Sequence, residues 1–375
     1  MRNNVISICK GIAIILMVVG HAEAPTLLTN FIYTFHMPLF FITAGYFFSR
    51  KYLDDPWEFC AKRVRGLYFP FLKWSLFFLV THNIWFHFGI LNETYGNWTG
   101  GVTHSYSAHD IAHRLVLILT SMSGYDEFMA GAFWFFRGLL VASVMFMILY
   151  KMVDSTTRFR EEWCVAAVCL CALAFNAFRI GNGLKIPTIP NGGLREVWGI
   201  FFFGIGVLYR QFEPRIKEAW WLSLIYFLIL CVAAKFHFCG MNNRGEMRDL
   251  LTLPLTGCTG FLLVKHISRV IDAAAGPAAR LLAFVGNNTL YVFIFHIISF
   301  KLVSLVKIWW YDLPFEQIGC HMVIHYNNHE DLFWVIYSIV GVAVPLIALK
   351  LWREHSPRGK RMLAGMFAKS QGPVS

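Results

Sequence analysis

Charged residues are scarce in this chain: Asp, Glu, Lys and Arg make up 15% of 375 residues, against about 25% in a soluble domain. That scarcity excludes a water-soluble protein of two or three globular domains. A polar stretch longer than about 40 residues is also missing, which excludes a large soluble domain. So are the short alternating segments of an outer-membrane barrel. The nine cysteines are odd in number and contain no C-x-x-C pair, so neither a disulfide scaffold nor a cysteine zinc site is indicated. Cys9, Cys164, Cys169, Cys171, Cys231 and Cys258 lie inside apolar runs, where a small thiol is an ordinary buried residue. No repeat, low-complexity tract or soluble linker is visible.

What is present is apolar: 57% of residues are hydrophobic and 17% aromatic. They come in runs of about 18 or more, long enough to cross a hydrocarbon core of about 30 Å as helix. The fold class is therefore an all-α polytopic membrane protein. Apolar runs read against polar breaks predict about ten transmembrane helices, over residues 5–22, 28–49, 67–91, 132–153, 163–180, 194–210, 219–238, 250–267, 281–307 and 332–352. Basic residues then alternate. Arg50, Lys51, Lys62, Arg63 and Arg65 follow the second span, Lys151, Arg158 and Arg160 the fourth, Arg210, Arg215 and Lys217 the sixth, and Lys265, Arg269 and Arg280 the eighth. The intervening loops carry only Arg114, Lys185, Arg244 and Arg248, so the positive-inside rule places both termini in the cytoplasm. Topology thus accounts for the +11 charge and leaves no need for a nucleic-acid partner. The chain divides into a transmembrane domain, 1–352, and a basic cytoplasmic tail, 353–375, with Arg353, Arg358, Lys360, Arg361 and Lys369. In the long outer loop Asn92–Gly131, the apolar stretch Ile111–Met122 is too short to span and is expected at the interface or re-entrant. At the N-terminus Arg2, the run Ile12–Val19 and Ala22-Glu23-Ala24 resemble a signal peptide. Lys10 interrupts that run and a second span follows at once, so an uncleaved first span is expected.

Ionisable groups inside a bilayer are costly and so are functional candidates: Lys10, His21, His36, Lys73, Arg137, Glu196, His237, His296 and Lys301. Lys10 and His21 are eleven residues apart, three helical turns plus about 20°, and share a face with a rise of about 16 Å. Lys10 could also snorkel to the headgroups. A short loop joins the first two spans, so His21 and His36 could be neighbours at similar depth. Imidazole takes and returns a proton near neutral pH, although a helix-to-helix hydrogen bond explains a single intramembrane histidine equally well. Arg137 and Glu196, each about a turn into its span, are expected to pair or to contact a substrate. His296, near mid-span, is expected to hydrogen-bond an aromatic neighbour. His109 with His113, and His321, His325 and His329, recur every four residues. Gly319, Asn327 and Asn328 oppose a helix in the second set and no acidic partner has zinc-site spacing, so no metal is expected.

Several of these residues sit in recognisable motifs. Ile8-Cys9-Lys10-Gly11-Ile12-Ala13, running to Gly20-His21, resembles the opening of the acyltransferase-3 family, a basic residue and a histidine separated by ten residues. Phe35-His36-Met37-Pro38-Leu39-Phe40-Phe41-Ile42 with Ala44-Gly45-Tyr46 is similar to its second span. Lys62-Arg63-Val64-Arg65 before Tyr68-Phe69-Pro70 resembles its cytoplasmic basic motif, Phe133-Trp134-Phe135 the start of a later span, and Gly286-Asn287-Asn288-Thr289-Leu290-Tyr291 through His296 its closing motif. The resemblance covers the whole ten-span plan and is nearest the branch of fucose 4-O-acetylase-like membrane proteins. Lys10 replaces the commoner arginine, Thr43 stands where serine is usual, and Gly66 interrupts the basic motif. At position 10 the fork geometry of arginine is lost.

The resemblance implies an acyl-CoA-dependent acyltransferase, usually of acetyl, acting on a hydroxyl of an envelope glycan or glycolipid sugar in the inner membrane of a bacterium. No cofactor is permanently bound; acetyl-CoA or another acyl-CoA is the donor substrate. His21, with His36, would be catalytic, as base or as acyl-carrying nucleophile. Lys10, Lys62, Arg63 and Arg65 would hold donor phosphates, and Trp134, Arg137, Glu196 and His296 would line the acceptor site. The lipid bilayer is the surrounding partner, and no pattern sets an oligomeric state. A transporter or flippase of a glycan or lipid-linked sugar would also need a polar intramembrane cavity; a receptor without catalysis is a third reading. An acyl-CoA site is what separates the first reading from the other two.

Overall fold

A computed structural model describes residues 3–97, 103–186, 193–238, 240–241, 245–324 and 331–357. His325, His329, Arg244 and the tail from Arg358 onward lie outside the described residues. Among those described, the chain is helical and contains no strand. Among the described residues, seven segments are long and apolar enough to cross a membrane: Asn4–His21, Thr26–Tyr46, Gly131–Thr156, Glu161–Gly181, Asp249–Ala273, Thr289–Trp310 and Phe333–His355.

Local sequence explains where the elements begin and break. Helix α1 (Asn4–His21) starts at Asn3, whose side chain accepts the Ile6 N–H, as an N-cap asparagine should. The expected second span is two helices, α2 (Thr26–Tyr33) and α3 (His36–Tyr46). Between them the Thr34 carbonyl accepts a hydrogen bond from Thr256 Oγ1 at 3.0 Å, so a neighbouring helix satisfies the backbone group that the break releases. Asp55 caps α4 (Pro56–Arg63), with Pro56 in the first turn. A π-helical turn, Val64–Tyr68, leads on into α5 (Phe69–His87). After α6 (Glu93–Gly96), the outer-loop stretch forms α7 (Ala108–Ser121), an amphipathic helix of 14 residues opened by a Ser107–Asp110 capping box. Helices α8 (Trp134–Thr156), α9 (Glu161–Gly181), α10 (Leu194–Phe212), α11 (Trp220–Lys235) and α12 (Asp249–Ala273) follow. The expected ninth span is also divided, into α13 (Pro277–Asn287) and α14 (Thr289–Trp310), before α15 (Phe333–His355) closes the bundle. Asn288 marks that division, donating to Phe284 O and accepting from Arg353 at 2.9 Å. Helices α5, α10 and α11 coincide with the three expected spans outside the seven.

The main core lies where α3, α8 and α10 meet, around Phe41, Phe48, Phe146, Phe202 and Phe203, and a second gathers Phe71, Phe78, Phe133 and Phe136. Large apolar side chains also face outward: Leu251 is 80% and Leu170 65% exposed, as lipid-facing positions require. Exposed Trp163, Trp220, Trp309 and Trp352 sit near helix ends, the positions of an interfacial aromatic belt.

Candidate active site

A cavity of about 500 Å³ runs between α1, α3, α8 and α14. Its wall includes Gly66 and Leu67 of the π turn, and Thr289 and Leu290 at the start of α14. Asn30, His237 and Gly240 contribute to the lining as well. Ile14, Met17 and His21 supply one face of α1, and half-buried Lys10 sits one turn before Ile14 on that face. The expected alignment of Lys10 with His21 therefore points along the cavity. His36, Met37 and Phe40 come from α3, and Trp134, Phe135 and Phe136 from α8.

Hydrogen bonds fix the imidazole tautomers. His296 Nδ1 lies 3.1 Å from Val292 O and 3.0 Å from Phe293 O. Two carbonyl oxygens can only accept, so His296 carries its hydrogen on Nδ1 and offers the Nε2 lone pair. His21 Nδ1 lies 2.9 Å from that Nε2, and it must donate. In neutral His21 the remaining nitrogen, Nε2, is then a lone pair on a side chain that lines the cavity. Likewise His36 Nδ1 donates to Ile32 O at 3.0 Å, which leaves Nε2 of His36 as an acceptor. The expected aromatic partner for His296 is thus replaced by His21, while Phe300 packs against the His296 ring edge-on at 5.8 Å. Tyr33 ties the pair of histidine helices together: its hydroxyl donates to Gly20 O at 2.8 Å and its ring lies 5.2 Å from that of His36. Gly20 is required there, because a Cβ would fall 2.6 Å from the Tyr33 ring.

The other predicted residues are distributed as follows. Arg137 Nε and Glu196 Oε1 pair at 3.1 Å with both side chains buried, while both terminal nitrogens of Arg137 and Oε2 of Glu196 have no protein partner. Trp134 is on the cavity wall under the guanidinium of Arg195, 4.2 Å from the ring centre. In the basic motif, Lys62 pairs with Glu58 at 2.6 Å. Arg63 packs over the Phe59 and Phe203 rings at 4.9 and 5.4 Å; burial lowers its pKa to about 10, so it stays charged at neutral pH. Arg65 is exposed. Lys73 lies over Trp74, and Lys301 donates to Ile318 O at 2.7 Å and to Cys320 O. His237 and Asn30 bond at 2.8 Å on the cavity wall. His321 packs 4.9 Å from Phe128, and burial, then Lys301, pulls its pKa down. Tyr33, one turn before His36, and Arg195, next to Glu196, have no sequence signal beyond that placement, and Asn30 has none.

A family described as an acyltransferase domain matches residues 3–350. The chain belongs to the acyltransferase-3 family. No curated protein and no solved structure matches it. An acyltransferase must bring acyl donor, acceptor and proton-handling groups together away from water. In this membrane acyltransferase His21 and His36 line a cavity whose wall also holds Phe40, Phe135 and Phe293.

Proposed function

We propose that the protein transfers an acyl group, acetyl by the resemblance, from cytoplasmic acyl-CoA to a hydroxyl of an envelope glycan or glycolipid sugar in a bacterial inner membrane. The observation that carries this reading is the His21–His296 contact, which leaves Nε2 of His21 as the proton acceptor on the cavity wall. In the reaction, Nε2 takes the proton of the acceptor hydroxyl as its oxygen forms a bond to the thioester carbonyl carbon. The tetrahedral adduct collapses, the C–S bond breaks, and the imidazolium returns the proton to the departing thiolate, giving the ester and free coenzyme A. While His21 is charged, its Nδ1–H keeps the His296 lone pair as partner, so the added proton needs no rearrangement. Arg65, with Lys62 and Arg63 behind it, suits the donor's phosphates. Trp134 and the Arg137–Glu196 pair suit the acceptor.

The test is thiol release from acetyl-CoA by the purified protein in liposomes, with envelope glycan fractions as acceptors. Replacing His21 by alanine removes one interhelical hydrogen bond, about 0.6 to 2 kcal/mol, and about 100- to 10,000-fold in rate. Near-normal turnover by a folded His21→Ala protein overturns the assignment. Glycan movement without thiol release would favour a transporter.

A further inference from the structure

The basic motif and the histidine cavity are joined by a single backbone segment, the π turn Val64–Tyr68, which follows Arg63 directly and contributes Gly66 and Leu67 to the cavity wall. Such turns are rare and collect at functional sites. The glycine in it has no structural cause. A Cβ built on Gly66 meets no atom within 4 Å, whereas one on Gly286, Gly45, Gly206 or Gly11 would fall 1.7 to 2.2 Å from a backbone oxygen of the facing helix. Its φ is not in the left-handed region, so backbone conformation does not call for glycine either, and glycine is a poor helix former. Gly66 is exposed and also borders the cavity, so what its missing side chain leaves is open space at the cavity's edge, next to exposed Arg65 in the chain. Ile14 and His21 both line the cavity and are seven residues apart, so its wall extends about 10 Å along α1 up to the reacting imidazole.

We propose that Gly66 sets the bore of the donor passage: the space left by its missing side chain admits the pantetheine arm of acyl-CoA, carrying the thioester from a nucleotide held by the Lys62, Arg63 and Arg65 side chains to His21. This rests on the reading that acyl-CoA is the donor. The passage accepts a slender chain and excludes a side chain at position 66 that fills it. The expected effect on stability is opposite to the effect on activity, because any substituent has room on the backbone and improves the helix.

The experiment compares Gly66→Ala, Gly66→Leu and Gly66→Trp with Val64→Trp, an exposed position on the same turn outside the cavity wall. Coenzyme A affinity is measured by calorimetry, and KM for acetyl-CoA by thiol release. Affinity should fall and KM rise with side-chain size, by tenfold or more for Gly66→Trp, with thermal midpoints at or above wild type and Val64→Trp at wild-type values. Gly66→Leu carries the comparison if the tryptophan variant does not fold. A folded Gly66→Leu or Gly66→Trp protein with wild-type coenzyme A affinity and KM overturns the inference while the donor assignment stands. Wild-type protein that neither binds coenzyme A nor releases thiol overturns the donor assignment and the inference with it.

Discussion

His296 turns its Nδ1 to two carbonyls of its own helix, and this fixes what His21 can do. Without that acceptor the His21 ring is free to rotate or to exchange tautomer, and its useful nitrogen is populated only part of the time. His296→Ala should therefore lower turnover by about 10- to 100-fold, the usual loss when an orienting partner is removed, and less than His21→Ala does. His296→Gln, whose amide oxygen can accept the same hydrogen, should recover part of the rate. Equal kcat for His296→Ala and wild type at matched expression would reduce His296 to a packing residue. A second single residue governs stability. The Lys265 ammonium, 2% exposed, lies 2.7 Å from both Glu213 and Glu218, which Arg269 also contacts at 3.4 and 3.1 Å. Glu213 in turn accepts from Tyr46 at 2.7 Å, so one cation ties α12 to α3 and to the end of α10. Lys265→Met leaves two carboxylates with one exposed arginine and should cost about 3 kcal/mol, read as a lowered unfolding midpoint in detergent. Adding Glu218→Gln should restore part of it; a wild-type midpoint for Lys265→Met would show the knot to be dispensable.

Pairs of helices in this bundle touch through backbone. Gly45 and Gly206 bring α3 and α10 together, and Gly11 and Gly286 do so for α1 and α13, the small-residue contact typical of membrane helices. Gly45→Ala would place a methyl 1.9 Å from Phe203 O, and a helix backbone cannot yield locally. A loss of at least about 1 to 3 kcal/mol is expected from overpacking, measured as loss of monodisperse protein or of midpoint; an unchanged midpoint would mean that the helices are further apart. Sequence foreshadows these elements unevenly. Helical periodicity alone put Lys10 and His21 on one face, and opposite charges at matching depth brought Arg137 to Glu196. Hydropathy did not separate α2 from α3, because the carbonyl freed at Thr34 is answered by Thr256, 222 residues away. The partner of His21, 275 residues on, was equally invisible: periodicity orders one helix, and only packing chooses between helices. The motif histidine His296 was legible as a polar intramembrane residue, but its bond was not.

Side-chain contacts between distant helix ends carry a prediction for the number of crossings in the whole molecule. Arg50, just after α3, pairs with Asp154 near the end of α8 at 2.9 Å, so both lie at one side of the membrane. If helix α8, long and apolar enough to span, crosses between them, a chain that returns to its starting side needs a second crossing, for which the 19-residue α5 is the candidate. Arg210 donates to Phe48 O at 3.1 Å, placing the end of α10 on that same side. If α9, also long and apolar enough, crosses on the way from Asp154, α10 is expected to cross back. Lys265, in the second half of α12, meets Glu213 just after α10, so the same parity predicts that α11 crosses, although its 16 residues reach only about 24 Å. The opposite side is tied separately, by Asn92 to Glu316 O at 2.7 Å and Lys307 to Asp331 at 3.1 Å. Reporter fusions after Lys51, Arg160, Lys217 and Arg269 should therefore all report the cytoplasm, the side favoured by their basic flanks, and fusions at Asn97 and Asp312 the outside. Were only the seven long, apolar segments to cross, Arg160 and Arg269 would report the side opposite to Lys51 and Lys217. That pattern would break the parity argument and place the basic motif and the end of α12 on different faces of the membrane.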